Sequence, residues 1–152
     1  RQTRHAVTIR LITAEDIPQW TKVRRLLWPG TTVDENLTEG FRTLENPGRA
    51  VIFIAQTDWR QIVGFLEASL RDYTDGCETS PVAYVEGWFV KPECRRQGIA
   101  RKLLAAAEAW GRQRGCTEMA SDSELHNHLG QEVHRQLGFE ETERIVLFRK
   151  QL

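Results

Sequence analysis

The 152-residue chain sets 21 Lys and Arg against 21 Asp and Glu, so no net field draws it to nucleic acid or an anionic membrane. With 40% apolar and 28% charged residues, it reads as an ordinary folded protein, long enough for one domain (residues 1–152) around a single core. No apolar run approaches the ~20 residues of a membrane span. Three cysteines, Cys77, Cys94 and Cys116, are odd in number and lack metal-ligand spacing, which fits a reducing cytoplasm better than a disulfide scaffold. No basic–apolar–small leader pattern opens the residues, and Arg rather than Met in first place points to a trimmed start.

Val7, Ile9 and Leu11 alternate with polar residues and predict a strand. Thr13 and Asp16 then form a weak helix start, and Ile17, Trp20, Val23 and Leu27 recur at helical spacing until Trp28-Pro29-Gly30 stops them. Leu37, Phe41 and Leu44 predict a second, shorter helix ending before Asn46-Pro47-Gly48. Two strands follow over 50–57 and 61–71, separated by the turn-like Asp58-Trp59-Arg60. Residues 72–81 are a polar loop long enough to be functional. A strand over 82–90 feeds an Arg-rich turn and then a helix from about Gly98 to Arg114, striped by Ile99, Leu103, Ala106 and Trp110 and ended by Gly115. A short strand over 116–121, a helix from Leu125 to Leu137 and a last strand over 142–150 complete the pattern. The order βααβββαβαβ predicts a mixed α/β domain with helices packed on a sheet.

The turn after residue 90 is the most informative stretch. A strand that ends at Pro92 and delivers backbone N–H groups to a helix N-terminus forms a cradle for phosphate. Lys91, Arg95, Arg96, Arg101 and Lys102 stand there against Glu93 alone, a local cationic excess on a neutral chain. Neither a G-x-x-x-x-G-K-[ST] nor a G-x-G-x-x-G pattern is present, so neither a P-loop nucleotide nor a Rossmann dinucleotide is expected.

Arg95-x-x-Gly98-x-Ala100 after a V-x-P strand end resembles the acyl-CoA pyrophosphate loop of the GNAT superfamily of N-acetyltransferases. The likeness covers nearly the whole chain and extends to the element order. It continues into Asn127 and His134-Arg135-Gln136-Leu137-Gly138-Phe139, where His134 stands at the superfamily's tyrosine position and Gly130 at one often held by Ala. The identity of the general acid is therefore open. Several strings resemble the aminoglycoside 6′-N-acetyltransferases more closely: Leu27-Trp28-Pro29-Gly30, Ser80-Pro81-Val82, Glu86-Gly87-Trp88-Phe89-Val90, the run 115–122 ending Ala120-Ser121-Asp122, and the run 137–144 from Leu137-Gly138-Phe139 to Arg144. The resemblance implies a GNAT fold with a central, mostly antiparallel mixed sheet, acetyl-CoA as co-substrate, an aminoglycoside as acceptor and no metal. It also implies a homodimer joined through sheet edges and C-terminal strands. Acetyl-CoA would lie along Phe89, Val90, Arg95, Arg96, Gln97, Gly98, Ile99, Ala100, Asn127 and His134.

Amine acetylation needs a neutral amine, an acyl thioester and donors for the developing oxyanion, which backbone N–H groups near Phe89 and Val90 can supply. It demands no covalent intermediate, so the cysteines need not act as nucleophiles. Glu86 is the most telling side chain. The alternation places it on one strand face with Tyr84 and Trp88, where an unpaired charge is costly. It is either ion-paired to a neighbouring base or, as the resemblance implies, the receiver of the acceptor amine. Asp122 is either a helix N-cap or a substrate contact, and the resemblance favours the second. Trp28 and Tyr73 match aromatic positions of the sugar site, where ring faces attract cations, although Trp28 can also be read as a core residue. Among Glu140, Glu141 and Glu143, the last carries over as a substrate contact. Asp34, Glu35, Glu39, Asp72 and Asp75 are candidates to extend the acidic side, most of them as solvated charges. His134 is a candidate to protonate the departing thiolate or to pack beside the pantetheine arm. His5, His126 and His128 read as exposed and unligated. A basic donor turn and an acidic acceptor pocket reconcile a polycationic substrate with a neutral chain. Acetylation of a polyamine or a protein N-terminus, and acyl-CoA binding without catalysis, are the competing readings.

Overall fold

In a computed structural model, residues 6–152 are described; His5 lies outside them. Five strands form one sheet in the order β1-β2-β3-β4-β5: β1 (Val7–Leu11), β2 (Ala50–Thr57), β3 (Ile62–Arg71), β4 (Val82–Val90) and β5 (Met119–Ser121). The first three pairings are antiparallel and the last is parallel. Helices α1 (Ile17–Leu27) and α2 (Val33–Glu45) cover one face. Helix α3 (Ile99–Gln113) covers the other, and α4 (His128–Gln136) follows β5.

Two cores result, one on each face. Leu103, Ala107 and Trp110 of α3 pack on Val51, Val63, Leu66, Ala68 and Val85. Ile17, Trp20 and Val23 of α1 pack on Ile52, Ile54 and Phe65. Neighbouring residues such as Val51 and Ile52 serve opposite cores, the period-2 rule at work. Because both faces are covered, the middle strands read as nearly continuous apolar runs. Each large side chain removed from water, such as Phe65 or Leu66, contributes about 1.5–3 kcal/mol, and both are fully buried.

Two irregularities shape the middle of the sheet. Glu67 pairs with Gly87 while Ala68 pairs with Val85, so Glu86 is an extra residue in β4, a β-bulge. Beside it, β5 pairs with β4 only through Ala83–Met119, Tyr84–Ala120 and Val85–Ser121. Beyond Val85 that edge of β4 has no ladder partner among the described residues.

Four sequence expectations are corrected. The bulge reverses side-chain parity after Glu86, so Trp88 packs with the α3 core and does not share a face with Glu86. The strand expected over 116–121 begins only at Met119. The helix expected from Leu125 begins at His128, because the Asn127 carboxamide caps it by accepting from the Gly130 N–H at 3.0 Å. The last strand expected over 142–150 is absent: those residues are exposed and belong to no strand of this chain. A strand needs a ladder partner, and none is offered to them here.

Candidate active site

The turn between β4 and α3 is built by backbone geometry. Gly98 caps α3 with φ of 79°, in the left-handed region that favours glycine. As the N-cap, Gly98 has no side chain to offer, and the first N–H groups of a helix have no intrahelical acceptors. Arg96 also takes a positive φ, 63°, a strained choice for a non-glycine residue. Arg95 folds back: its Nε donates to the Val90 carbonyl at 2.9 Å, and its guanidinium stands 5.7 Å from the Phe89 ring centre. Arg96, Arg101 and Lys102 are exposed, Gln97 and Ala100 are half-buried, and Ile99 anchors the helix in the core. Phe89 and Val90 lie on the part of β4 freed from β5. One edge of that strand and one helix end therefore meet at the cationic turn.

His134 is held on the same side of the sheet, between the rings of Trp88 and Phe139 at 5.6 and 5.1 Å. Its Nδ1 lies 2.6 Å from the Gly130 carbonyl, which only accepts, so Nδ1 carries the proton of the neutral ring. Nε2 then accepts from the Ser121 hydroxyl at 2.8 Å. Ser121 sits at the last β4–β5 pair, where the two strands part.

On the α1–α2 face the bulge presents Glu86 to solvent. The carboxylate is not alone. Its Oε1 accepts from the Ser69 hydroxyl at 2.6 Å and from Arg71 Nε and Nη2 at 3.1 and 2.9 Å. Its Oε2 accepts only from Arg71 Nη2, at 2.9 Å. The Arg71 guanidinium lies 3.4 Å from the centre of the Tyr84 ring, and the Tyr84 hydroxyl makes a short hydrogen bond to Asp122. Burial, then the bond to Asp122, pushes the Tyr84 phenol well above its usual range, so it stays a donor. Asp122 is thus a phenol acceptor and not a helix cap; Asn127 holds that place.

Trp28 closes α1 and lays its ring over Gly87, where any Cβ would collide with it. Arg24 stacks 4.5 Å from the centre of that ring. Its guanidinium donates to both oxygens of Glu67, at 2.8 and 3.2 Å, and to Asn36 Oδ1 at 2.7 Å. Glu67 and Asn36 are buried, and burial raises the Glu67 pKa against the opposing pull of Arg24. A cleft of about 570 Å³ lies over these groups, with Trp28, Glu39, Glu67 and Glu86 in its lining.

Tyr73 and Glu143 form a separate group. Tyr73 is 73% exposed and donates to Asp75 at 2.9 Å; that bond and the charges of Asp75 and Glu143 raise its pKa. Thr142 packs directly against Gly76, which brings the start of the C-terminal segment onto the loop over 72–81. Glu118 secures that loop by accepting from the Glu78 and Thr79 N–H groups at 2.9 and 2.7 Å. Glu86 and Asp122 are therefore joined through Arg71 and Tyr84, Trp28 shares the cleft with Glu86, and Glu143 acts on Tyr73 through its charge. Neither Tyr73, Asp122 nor Glu143 lines the cleft itself. Of the other acidic candidates, Glu35 caps α2, Glu39 pairs with Arg42 at 3.0 Å and Asp72 with Arg49 at 3.6 Å. Among the described residues no cluster of three or more His, Cys, Asp or Glu is placed to hold a metal.

A model of the acetyltransferase (GNAT) family matches residues 20–139. The chain belongs to the GNAT acetyltransferase family. An aminoglycoside N(6′)-acetyltransferase type 1 of Salmonella typhimurium is 45% identical to this GNAT chain over 143 residues, covering 93% of it and 97% of the relative. Its counterpart from Stenotrophomonas maltophilia is 44% identical over 148 residues, with 97% and 95% covered. The structure of AAC(6′)-Iy in complex with the bisubstrate analogue CoA-S-monomethyl-acetylneamine matches with a TM-score of 0.92 at 41% identity, covering 97% of this chain and 99% of that one. AAC(6′)-Ih from Acinetobacter baumannii matches with a TM-score of 0.91, also at 41% identity.

Reading the sequence of this GNAT chain missed Arg71, Ser69 and the Arg24–Glu67–Asn36 group, and it left Tyr84 without a role. Glu67 carried a signal, a lone carboxylate inside the apolar run of β3, but its partner stands 43 residues earlier. Arg71 carried none. Only the β3–β4 register brings it to Glu86.

Proposed function

We propose that this chain, acting as one acetyltransferase domain over residues 1–152, transfers the acetyl group of acetyl-CoA to the 6′-amine of an aminoglycoside. Attack is direct, within a ternary complex. The observation that carries this reading is the position of Glu86: a carboxylate raised by a bulge into a cleft, on the strand that runs to the cationic turn. The likeness to a relative solved with a CoA–acetylneamine bisubstrate analogue supports it.

The amides of the turn at Gln97–Ala100, with Arg96 and its cationic neighbours, hold the CoA diphosphate. The Val90 N–H, on the edge of β4 that β5 leaves open, faces the thioester carbonyl and stabilises the charge that develops on its oxygen, whereas the Phe89 N–H points toward β3. Glu86 receives the ammonium and, through water, its proton, leaving the neutral amine to attack. Asp122, Tyr73 and Glu143 take further ammonium groups, and Trp28 offers a ring face to the sugar. Asn127 orients α4, and His134 stands at the pantetheine arm. With Nδ1 bound to Gly130 and Nε2 to Ser121, it reaches a departing thiolate only by rearranging or through Ser121.

Three free thiols among the described residues agree with a cytoplasmic enzyme, where acetylation would confer aminoglycoside resistance. No helix of the described residues is long and apolar enough to cross a membrane. The homodimer belongs to this proposal too. Residues 145–148 leave Ile, Val, Leu and Phe exposed, a run of strand-forming residues with no partner in their own chain.

The test is thiol release from acetyl-CoA with kanamycin-type acceptors. Wild-type protein is expected to turn over, and Glu86→Gln to lose turnover while binding CoA as before. A panel in which polyamines or peptide N-termini exceed aminoglycosides in kcat/KM would replace the acceptor. Unchanged turnover in Glu86→Gln would remove the carboxylate from the mechanism.

A further inference from the structure

Resting on the reading of Glu86 as the amine-receiving group, we infer that Arg71 is a positioning residue: with Ser69, it selects which carboxylate oxygen of Glu86 meets the substrate. Oε1 is saturated by three donors, Ser69 Oγ and Arg71 Nε and Nη2. Oε2 accepts once, from Arg71 Nη2, and keeps lone-pair capacity for an incoming ammonium. A carboxylate on a bulge has no ladder neighbour to lock its rotamer, and the fork of a planar guanidinium supplies what the backbone does not. The guanidinium is itself held flat by the Tyr84 ring at 3.4 Å, and Tyr84 is anchored by its hydroxyl to Asp122. Orientation thus passes from Asp122 through Tyr84 and Arg71 to Glu86, across β5's end, β4 and β3.

The same geometry sets a second consequence. Arg71 is a permanent cation inside a site for polycations, and it bonds Glu86 Oε1 twice and Oε2 once. Were it merely an opposing charge, its removal would tighten acceptor binding and leave chemistry alone. As a positioning residue it governs the chemical step.

The experiment compares wild type, Arg71→Ala, Arg71→Lys and Ser69→Ala with kanamycin and acetyl-CoA, with and without added methylguanidinium. Arg71→Ala is expected to lose between about 10- and 100-fold in kcat, the cost of loosening a reacting group by an ångström or so. KM for acetyl-CoA is expected to stay at the wild-type value. Methylguanidinium, which carries the same planar fork as the missing side chain, is expected to restore part of the lost kcat in Arg71→Ala and to do nothing for wild type. Lysine, a point charge without the fork, is expected to fall short of wild type, and Ser69→Ala to lose less than Arg71→Ala. The inference is overturned by unchanged kcat in Arg71→Ala, by a lowered KM for kanamycin at unchanged kcat, or by a kcat loss that methylguanidinium leaves untouched. Wild-type protein that fails to acetylate kanamycin would instead sink the functional reading on which it rests.

Discussion

Trp28 and Gly87 compete for one volume. The indole lies where a Cβ on residue 87 would stand, and it is held from behind by Arg24, whose guanidinium is fixed on the buried Glu67. The ring cannot retreat without breaking that ion pair, whose loss leaves a buried charge uncompensated. Gly87→Ala is therefore expected to destabilise by about 1–3 kcal/mol, the usual cost of overpacking, measured by denaturant titration. Because Trp28 also lines the cleft, the same variant is expected to raise KM for the aminoglycoside and spare KM for acetyl-CoA. A variant as stable as wild type would show that the ring yields freely. At this scale the sequence was partly legible. Glu86 stood out as a charge in an apolar run, whereas its partner Arg71 looked like any strand-end arginine.

Elements were legible wherever one residue type or one period decides them. The strand over 7–11 follows from alternation, those over 50–57 and 82–90 from apolar runs bounded by turn residues, and the helix over 17–27 from helical spacing with a Pro and Gly stop. What escaped was relational. The bulge at Glu86 depends on two strands paired out of step, and no single strand announces it. The link between β1 and α1 is likewise relational: Arg10 forks onto Asp16 at 2.7 and 2.8 Å, and Asp16 also accepts from the Thr13 N–H at 2.7 Å. The Arg10 bond first, then the Thr13 bonds, hold the Asp16 carboxyl down to about 2 against the opposing effect of burial. A depressed carboxylate stabilises the fold fully above its unfolded value, ~3.9, and loses that contribution as pH falls toward its folded value. Between about pH 4 and pH 2, wild type is therefore expected to lose more stability than Asp16→Asn, and the two curves should converge at the acid end. Parallel curves across that window, by urea denaturation at each pH, would contradict the assignment.

At the scale of the whole molecule, neutrality conceals two opposed fields, a cationic turn at one end of β4 and carboxylates about its bulge. It also conceals an unfinished sheet. β5 is a three-residue edge strand, α4 buries none of its residues, and Leu129 on that helix is 70% exposed. Phe148, in the segment whose composition predicts a strand, is 93% exposed. Each of these features is costly alone, since an open edge and an apolar run invite association. A second copy that pairs with residues 142–150 would remove all three together. In such an assembly residues 142–150 would gain the ladder partner that they lack in the single chain. Phe148→Asp places a charge where such an interface would bury an aromatic ring, and it should leave the fold of one chain intact because residue 148 touches little of it. Light scattering is expected to give twice the chain mass for wild type and the single chain mass for Phe148→Asp. The melting temperature of wild type should rise with protomer concentration, as mass action requires, and that of the variant should not. Since Thr142 rests on the loop that carries Tyr73, the variant is also expected to raise KM for the aminoglycoside more than for acetyl-CoA. Wild-type protein that stays a single chain at high micromolar concentration would end the dimer reading and leave the exposed run at 145–148 to another partner.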